Sequence, residues 1–162
     1  MLATMGRAVV FLVGALGLSY GLWFVRPALP AASRILPAYA AAVLVQCGHL
    51  TEEYRTGFYR MFPPVLGSDP WSARQFLIFN LVWLGIFVFG GFGLARGWRP
   101  GFVAALFLAL GGGIGNGLGH LMLVLRAGGY FPGAYTAPLV FLAGSVLAFQ
   151  LLRPPGPVVA AI

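Results

Sequence analysis

The chain is poor in charged residues and in cysteine. Only 8% of its 162 residues are charged, it contains no lysine, and its three acidic residues are Glu52, Glu53 and Asp69. The single cysteine, Cys47, excludes an intrachain disulfide. Soluble domains typically carry about 25% charged residues. This composition therefore argues against a soluble globular protein.

Positive charge comes from arginine alone. Ten arginines give the chain a formal net charge of +7. They fall at the ends of apolar runs, where guanidinium groups can reach lipid headgroups, and they form no basic stripe of the kind that nucleic acid requires. We therefore expect no nucleic-acid partner. With five predicted spans, five arginines fall on each side of the membrane, so the positive-inside rule does not fix an orientation.

Apolar sequence dominates the chain, with 60% hydrophobic residues and a mean hydropathy of +0.91. Arginine, proline and glycine divide it into five runs of about the 20 residues that cross a bilayer. The runs cover about 8–25, 34–60, 75–95, 101–125 and 135–152, and Pro63 and Pro64 are expected to end the second. The sequence therefore predicts an all-α fold, an integral membrane bundle of five transmembrane helices. We expect it to form one domain over residues 1–162, in a bacterial inner (plasma) membrane.

Ionisable residues inside these runs are the first candidates for a functional site. His49, Glu52 and Glu53 lie within five residues of the second run at spacings of i, i+3 and i+4, so they share one helix face. Gln46 lies one turn earlier on the same side, and His120 lies in the fourth run. A charged group at membrane depth costs several kcal/mol unless it is paired or bound to a metal. The cluster therefore predicts a functional site.

Polar side chains on four of the five runs fall at one depth. Measured at about 1.5 Å per residue from a shared face, they lie at roughly 22–30 Å. They are His49 and Glu53 on the second run, Asn80 on the third, Asn116 and His120 on the fourth, and Thr136 on the fifth. We expect these groups to form a single polar layer inside the bundle.

Glycine removes side chains from the fourth run just before His120. Six glycines occupy positions 111, 112, 113, 115, 117 and 119. Because glycine weakens a helix, its use here needs a packing or access reason. Another helix, a substrate or a second copy of the chain could approach this backbone closely. The glycine pattern is therefore also compatible with a homodimer.

The cluster fits a metal site. Imidazoles from His49 and His120 with a carboxylate from Glu52 or Glu53 form the two-histidine, one-carboxylate set that suits catalytic zinc or iron, and manganese is a further candidate. The remaining glutamate would act as a general base. Asn116 shares a helix face with His120 and would position that histidine or the substrate. We therefore predict a divalent-metal site, with zinc foremost.

The substrate predicted for such a site is hydrophobic. Entry from lipid to a polar layer would suit a lipid or an isoprenoid, and the expected reaction is hydrolytic or otherwise metal-assisted. The residues predicted to contact the substrate are Gln46, Asn80, Tyr135 and Thr136.

Other interpretations of the same residues stay open. Two adjacent carboxylates in a low-dielectric pocket could support a metal-free acid/base isomerase or cyclase, since one of them should hold a proton. Glu52 and Glu53 could instead bind protons or cations in a transporter. Arg55 and Arg60 could also pair with the two acids at a solvated helix end, which would leave no site.

Three segments in order resemble one known family. His49-Leu50-Thr51-Glu52-Glu53 is similar to the signature of the HXXEE domain family of small multi-span membrane proteins. Asn116-Gly117-Leu118-Gly119-His120 is similar to that family's Asn-x-x-x-His element, and Tyr130 to Ala137 resembles its Pro-Gly segment. The resemblance covers roughly residues 40 to 140. It implies a metal-binding membrane enzyme and does not name a reaction.

Overall fold

The computed structural model describes the backbone of residues 2–24 and 31–153, and the side chains of residues 13–24 and 31–153. The protein is all-α over these residues, with no strand among them. Its helices are α1 (Leu2–Phe24), α2 (Ala32–Thr56), α3 (Phe58–Val65), α4 (Ala73–Ala95), α5 (Arg99–Phe107), a π-helical segment (Leu108–Gly115), α6 (Asn116–Ala127) and α7 (Ala137–Leu152). The helix from α5 to α6 is continuous, so Arg99–Ala127 is one long rod.

All five predicted apolar runs are mainly helical, with the second divided between α2 and α3, which confirms the all-α prediction. Residues 1, 25–30 and 154–162 of the predicted domain lie outside the described part of the chain, and residue 25 is the last of the first run.

The second run needs a correction. Gly57 adopts a left-handed conformation (φ 81°) and ends α2, with its N–H bonded to the carbonyl of Glu53. Pro63 and Pro64 then lie inside the short helix α3 and do not end the run. Glycine takes positive φ without steric cost, so the break falls at Gly57, before the prolines.

Helices α4 and α5 form a tightly packed antiparallel hairpin. Ser72 and Gln75 cap the start of α4 reciprocally, each side chain bonding the other residue's backbone N–H. A Cβ added at Gly101 would lie 2.2 Å from the backbone nitrogen of Leu94, and one at Gly90 would lie 2.6 Å from the Cβ of Ala104. Small residues therefore let the two backbones touch.

The long rod is the centre of the bundle, and α7 crosses it at a second close contact. A Cβ added at Gly113 would lie 2.4 Å from the Cα of Gly144. Phe102, Leu106 and Leu147 are completely buried around this axis. The glycines of the π-helical segment thus have a helix-packing role on the face toward α7.

Two helices in the described chain are long and apolar enough to cross a membrane by length and composition, namely Ala73–Ala95 and Arg99–Ala127. Val13–Phe24 and Ala137–Leu152 are shorter apolar helices. Helix α4 is mostly exposed along its apolar length, and Phe89 is 77% accessible. The central rod is mostly buried.

Candidate metal centre

Three donor atoms from two helices converge inside the bundle. His49 and Glu53 are one helical turn apart on α2, and His120 faces them from α6. The Nε2 atoms of the two histidines are 3.2 Å apart, and Oε1 of Glu53 lies 3.1 Å from Nε2 of His120 and 3.5 Å from Nε2 of His49. All three side chains are buried, with accessibilities of 0%, 6% and 2% for His49, Glu53 and His120.

These separations fit a single metal ion. A triangle with sides of 3.1, 3.2 and 3.5 Å has a circumradius of about 1.9 Å, close to the ~2.0–2.2 Å bonds that zinc makes to histidine nitrogen and carboxylate oxygen. Two imidazoles and one carboxylate are also the ligand set used by catalytic zinc and non-haem iron. Together His49, Glu53 and His120 could therefore hold a metal ion.

A hydrogen-bond chain fixes which nitrogen of His49 faces the group. Thr136 donates its hydroxyl hydrogen to Oε2 of Glu52 over 2.6 Å, and its Oγ1 lies 2.7 Å from Nδ1 of His49. Because the hydroxyl has only one hydrogen, Nδ1 of His49 must be the donor to Thr136. In neutral His49 the Nε2 atom is then left with a lone pair directed at Glu53 and His120, which is the state that binds a metal.

That assignment leaves a shortage of protons among the three atoms. With His49 neutral and Glu53 ionised, Nε2 of His49 and Oε1 of Glu53 both present lone pairs, and Nε2 of His120 can supply one hydrogen between them. A cation would satisfy all three lone pairs together. In these protonation states the donor set can therefore accept a metal ion.

His120 is held by close packing against the segment before α7. A Cβ added at Gly133 would lie 2.3 Å from Cε1 and 2.9 Å from Nδ1 of the imidazole, and Gly133 has a φ of 89°. The Phe58 ring centroid lies 5.3 Å from that of His120. Nδ1 of His120 is buried without a hydrogen-bond partner, alone in this respect among the described side chains. The ring orientation is therefore set by packing.

Glu52 lies outside the group of three, although it was predicted as a ligand. Tyr130 donates its hydroxyl to Oε1 of Glu52 over 2.9 Å, and the backbone N–H of Tyr135 donates to the same oxygen over 3.1 Å. Thr136 donates both its N–H and its hydroxyl to Oε2. With four donors on its two oxygens, Glu52 ties the segment before α7 to α2.

A cavity of about 390 Å³ adjoins the three-residue group. The polar residues that line it are Glu53, His120, Gln46, Asn80 and Asn116. The rest is largely aromatic, with glycine on the side of the central rod. Its aromatic residues are Phe58, Phe62, Trp71, Phe76, Phe79, Trp83, Phe87 and Phe107.

The predicted polar layer is thus assembled, with a different division of roles. Gln46, Asn80 and Asn116 line the cavity, and Asn80 also donates from Nδ2 to the carbonyl of Phe76. The other two residues predicted to contact substrate are Tyr135 and Thr136. Their backbone N–H groups bond Glu52, and neither residue is among those that line the cavity. The alternative in which Glu52 and Glu53 pair with Arg55 and Arg60 is not found among the ion pairs of the described chain, where Glu53 instead lies close to Nε2 of both histidines.

The comparisons with known proteins concern this same region. Residues 40–148 match the family described as protein of unknown function with HXXEE motif. The chain belongs to the HXXEE family. In this HXXEE protein the motif is His49 to Glu53, so its histidine and final glutamate are two of the three converging residues. No curated protein and no solved structure matches the chain.

Sequence reasoning assigned no role to Gly133 or to the cavity aromatics. Gly133 lies in the Pro-Gly segment, where proline followed by glycine indicates a turn, but a turn signal does not predict contact with a histidine 13 positions earlier. Phe58 and Phe62 have the i, i+4 spacing of one helix face, which identifies a buried face without indicating a cavity.

Proposed function

We propose that this HXXEE protein is a membrane-embedded, metal-dependent enzyme that catalyses a hydrolytic or related reaction on a hydrophobic substrate. The observation that carries the proposal is the meeting of His49, Glu53 and His120 at the wall of a mainly aromatic cavity. Concave, mostly apolar sites with a few convergent polar groups are typical of small-molecule binding.

The proposed ligands are His49 through Nε2, His120 through Nε2 and Glu53 through Oε1. Zinc is the first candidate because this donor set, with room for a further ligand, is that of catalytic zinc sites, and iron and manganese are the alternatives. A divalent ion there would supply Lewis acidity toward an oxygen of the substrate.

The surrounding residues would orient and isolate the reacting group. Glu52 and Thr136 hold His49 in one tautomer, so we propose a positioning role for Glu52 in place of the predicted general-base role. Asn116 and Asn80 would hydrogen-bond the polar part of the substrate, and the aromatic wall would exclude water from it.

A bilayer location accounts for the outer surface. Large apolar side chains are exposed on several helices, including Leu44 on α2, Phe89 on α4, Met122 on α6 and Leu142 on α7. A soluble monomer rarely exposes apolar patches of this extent. We therefore propose a five-helix bundle integral to the membrane, and for a bacterial protein its inner (plasma) membrane.

Elemental analysis of protein purified in detergent tests the metal site. We expect nearly one equivalent of zinc, iron or manganese per chain, and its loss from a His49→Ala, His120→Ala double variant. A Thr51→Ala variant is the control, because Thr51 lies in the same motif but is exposed and bonds only the carbonyl of Cys47 on its own helix. Metal content that is unaffected by the double variant would refute the site.

Activity without a metal would support the alternative of a metal-free acid/base isomerase or cyclase. Glu53 already lies within hydrogen-bond distance of His120, which a metal-free acid/base isomerase or cyclase could use to move a proton. Protein that turns over a substrate after complete chelation, with no metal in the elemental analysis, would favour that reaction class over the metal-dependent one.

A further inference from the structure

We infer that the cavity binds an uncharged amphiphile, a single apolar chain or small ring system bearing a neutral alcohol, ester or amide group, and excludes phosphorylated lipids of the same length. This substrate class rests on the proposed function for its reaction, whereas the binding itself depends only on the cavity.

The apolar part of the cavity is built from rings. Trp71, Trp83 and Phe79 line it, and the Trp83 ring stacks on Phe107 with centroids 4.9 Å apart. Aromatic side chains bury large areas and present nearly rigid walls. Such a wall favours hydrocarbon or another ring, because it offers few partners for polar atoms.

Apart from Glu53 and His120, the polar side chains that line the cavity are carboxamides. Gln46, Asn80 and Asn116 come from three different helices and all line the cavity. Each carboxamide has both donors and an acceptor. Together they match a hydroxyl, ester or amide, which also has modest and mixed hydrogen-bonding needs.

Permanently cationic side chains are missing from the described lining of the cavity. None of the arginines in the described chain lines the cavity, and Glu53 is its one acidic residue. A phosphate monoester or diphosphate is normally held by arginine, lysine or a cluster of backbone N–H groups. Even with one divalent ion bound, Glu53 offsets part of its charge, so a phosphate dianion would be buried without sufficient countercharge.

The size of the cavity limits the ligand to one chain. Its volume of about 390 Å³ is near the lower end of the range of about 300–1,000 Å³ found for small-molecule sites. A diacyl lipid would not be enclosed. Gly119 lines the cavity beside His120, and a Cβ added there would have no heavy atom within 4 Å. Glycine therefore keeps this part of the cavity open.

Quenching of tryptophan fluorescence by bromine can test the inference in lipid nanodiscs. The two probes are a long-chain alcohol brominated at its far end and the phosphate monoester of the same alcohol. Trp71 and Trp83 line the cavity, whereas Trp23 and Trp98 do not. We expect saturable quenching by the alcohol that disappears in a Trp71→Phe, Trp83→Phe variant, and binding of the phosphate roughly tenfold weaker or more.

A matched pair of glycine variants locates the binding. Gly119→Leu should fill the cavity and abolish the saturable component. Gly85→Leu should retain it, because Gly85 is exposed on α4 and a Cβ there also meets nothing within 4 Å. If the wild-type protein binds the phosphate monoester as tightly as the alcohol, the inference is wrong. This comparison does not depend on whether Gly119→Leu folds.

The same titration separates this inference from the metal proposal. When the metal is removed from the wild-type protein by complete chelation, the alcohol should still bind, since every residue that lines the cavity is unchanged. Loss of metal with retained alcohol binding would support both proposals. Absence of saturable quenching in metal-loaded wild-type protein would reject the ligand class and leave the metal site standing.

Discussion

The hydroxyl oxygen of Thr136 lies 2.7 Å from Nδ1 of His49, although the two residues are 87 positions apart in the chain. Thr136 donates its only hydroxyl hydrogen to Glu52. Nδ1 of His49 must therefore donate to Thr136, which determines the tautomer of neutral His49. The two glutamates of the motif therefore act on the same histidine from opposite sides of its ring. Glu53 faces Nε2, and Glu52 acts on Nδ1 through Thr136.

Replacing Thr136 with valine should weaken metal binding without unfolding the protein. Valine has the same shape but cannot accept from Nδ1, so His49 loses its fixed tautomer. Partners of this kind typically contribute about 10–100-fold in metal affinity, and a titration against a competing chelator would measure the change. Thr51→Val is the control, since that hydroxyl is exposed and bonds its own helix. Equal affinities for the two variants would contradict the role of Thr136.

Glu53→Gln should have a larger effect than any change in Glu52. The substitution keeps the shape but removes the anionic oxygen that lies within 3.1–3.5 Å of both histidine nitrogens. We expect metal affinity to fall by more than about 100-fold, beyond the range for residues that act through a ligand. Asp69→Asn removes an acid that is exposed in the connection before α4 and should leave the affinity unchanged. Metal retained at full occupancy in Glu53→Gln would exclude Glu53 as a ligand.

Glu52→Gln should destabilise the segment that precedes α7. A glutamine amide nitrogen cannot accept the hydrogen bonds that one carboxylate oxygen takes from Tyr135 and Tyr130, or the other from Thr136. Loss of a hydrogen bond to a charged group costs about 1.5–3 kcal/mol, so the midpoint of thermal unfolding should fall. Tyr130→Phe removes one of these bonds and should have a smaller effect. The opposite order would show that Glu52 is not what holds the segment.

Alanine substitutions at three glycines near the site distinguish the effect of backbone strain from the effect of contact with His120. Alanine at Gly133 meets both a φ of 89° and the imidazole, and alanine at Gly128 meets only a φ of 67° with open space around it. Alanine at Gly129 meets neither. A left-handed backbone costs a residue with a side chain roughly 1–2 kcal/mol. We therefore expect Gly129→Ala to be the most thermally stable of the three variants, Gly128→Ala to be less stable and Gly133→Ala to be the least stable.

Among the three variants, only Gly133→Ala should have a lower metal affinity, because only its methyl group would displace the His120 ring. A chelator titration of all three variants would measure this. Equal loss of affinity in Gly128→Ala would mean that the turn conformation, and not the contact, matters for the site.

The helical fold could be predicted because its signals are local. Long apolar runs, with arginine or proline at their ends, mark each long helix within a few residues. The alignment of His49 with Glu53 also follows from the i, i+4 spacing alone. The break at Gly57 was missed because a single glycine inside an amphipathic run does not reveal its φ.

The division between Glu52 and Glu53 could not be read from the sequence. Adjacent residues on a helix point about 100° apart, so only one of the two can share a face fully with His49. Which one faces His120 depends on how α6 and α7 pack against α2. That packing is set by close contacts such as Gly113 with Gly144, and no local pattern identifies those partners.

The π-helical segment makes the position of His120 sensitive to chain length. Each residue of an α-helix turns the chain by about 100°, and wider π turns usually accommodate an additional residue. The segment Leu108–Gly115 lies directly before the helix that carries Asn116 and His120. After removal of one residue from it, both side chains would keep their direction toward α2 only if the segment converted to regular α turns. The same deletion beyond Gly128 would leave their direction unchanged. In evolution, this stretch should tolerate exchange of one small residue for another far better than insertion or deletion.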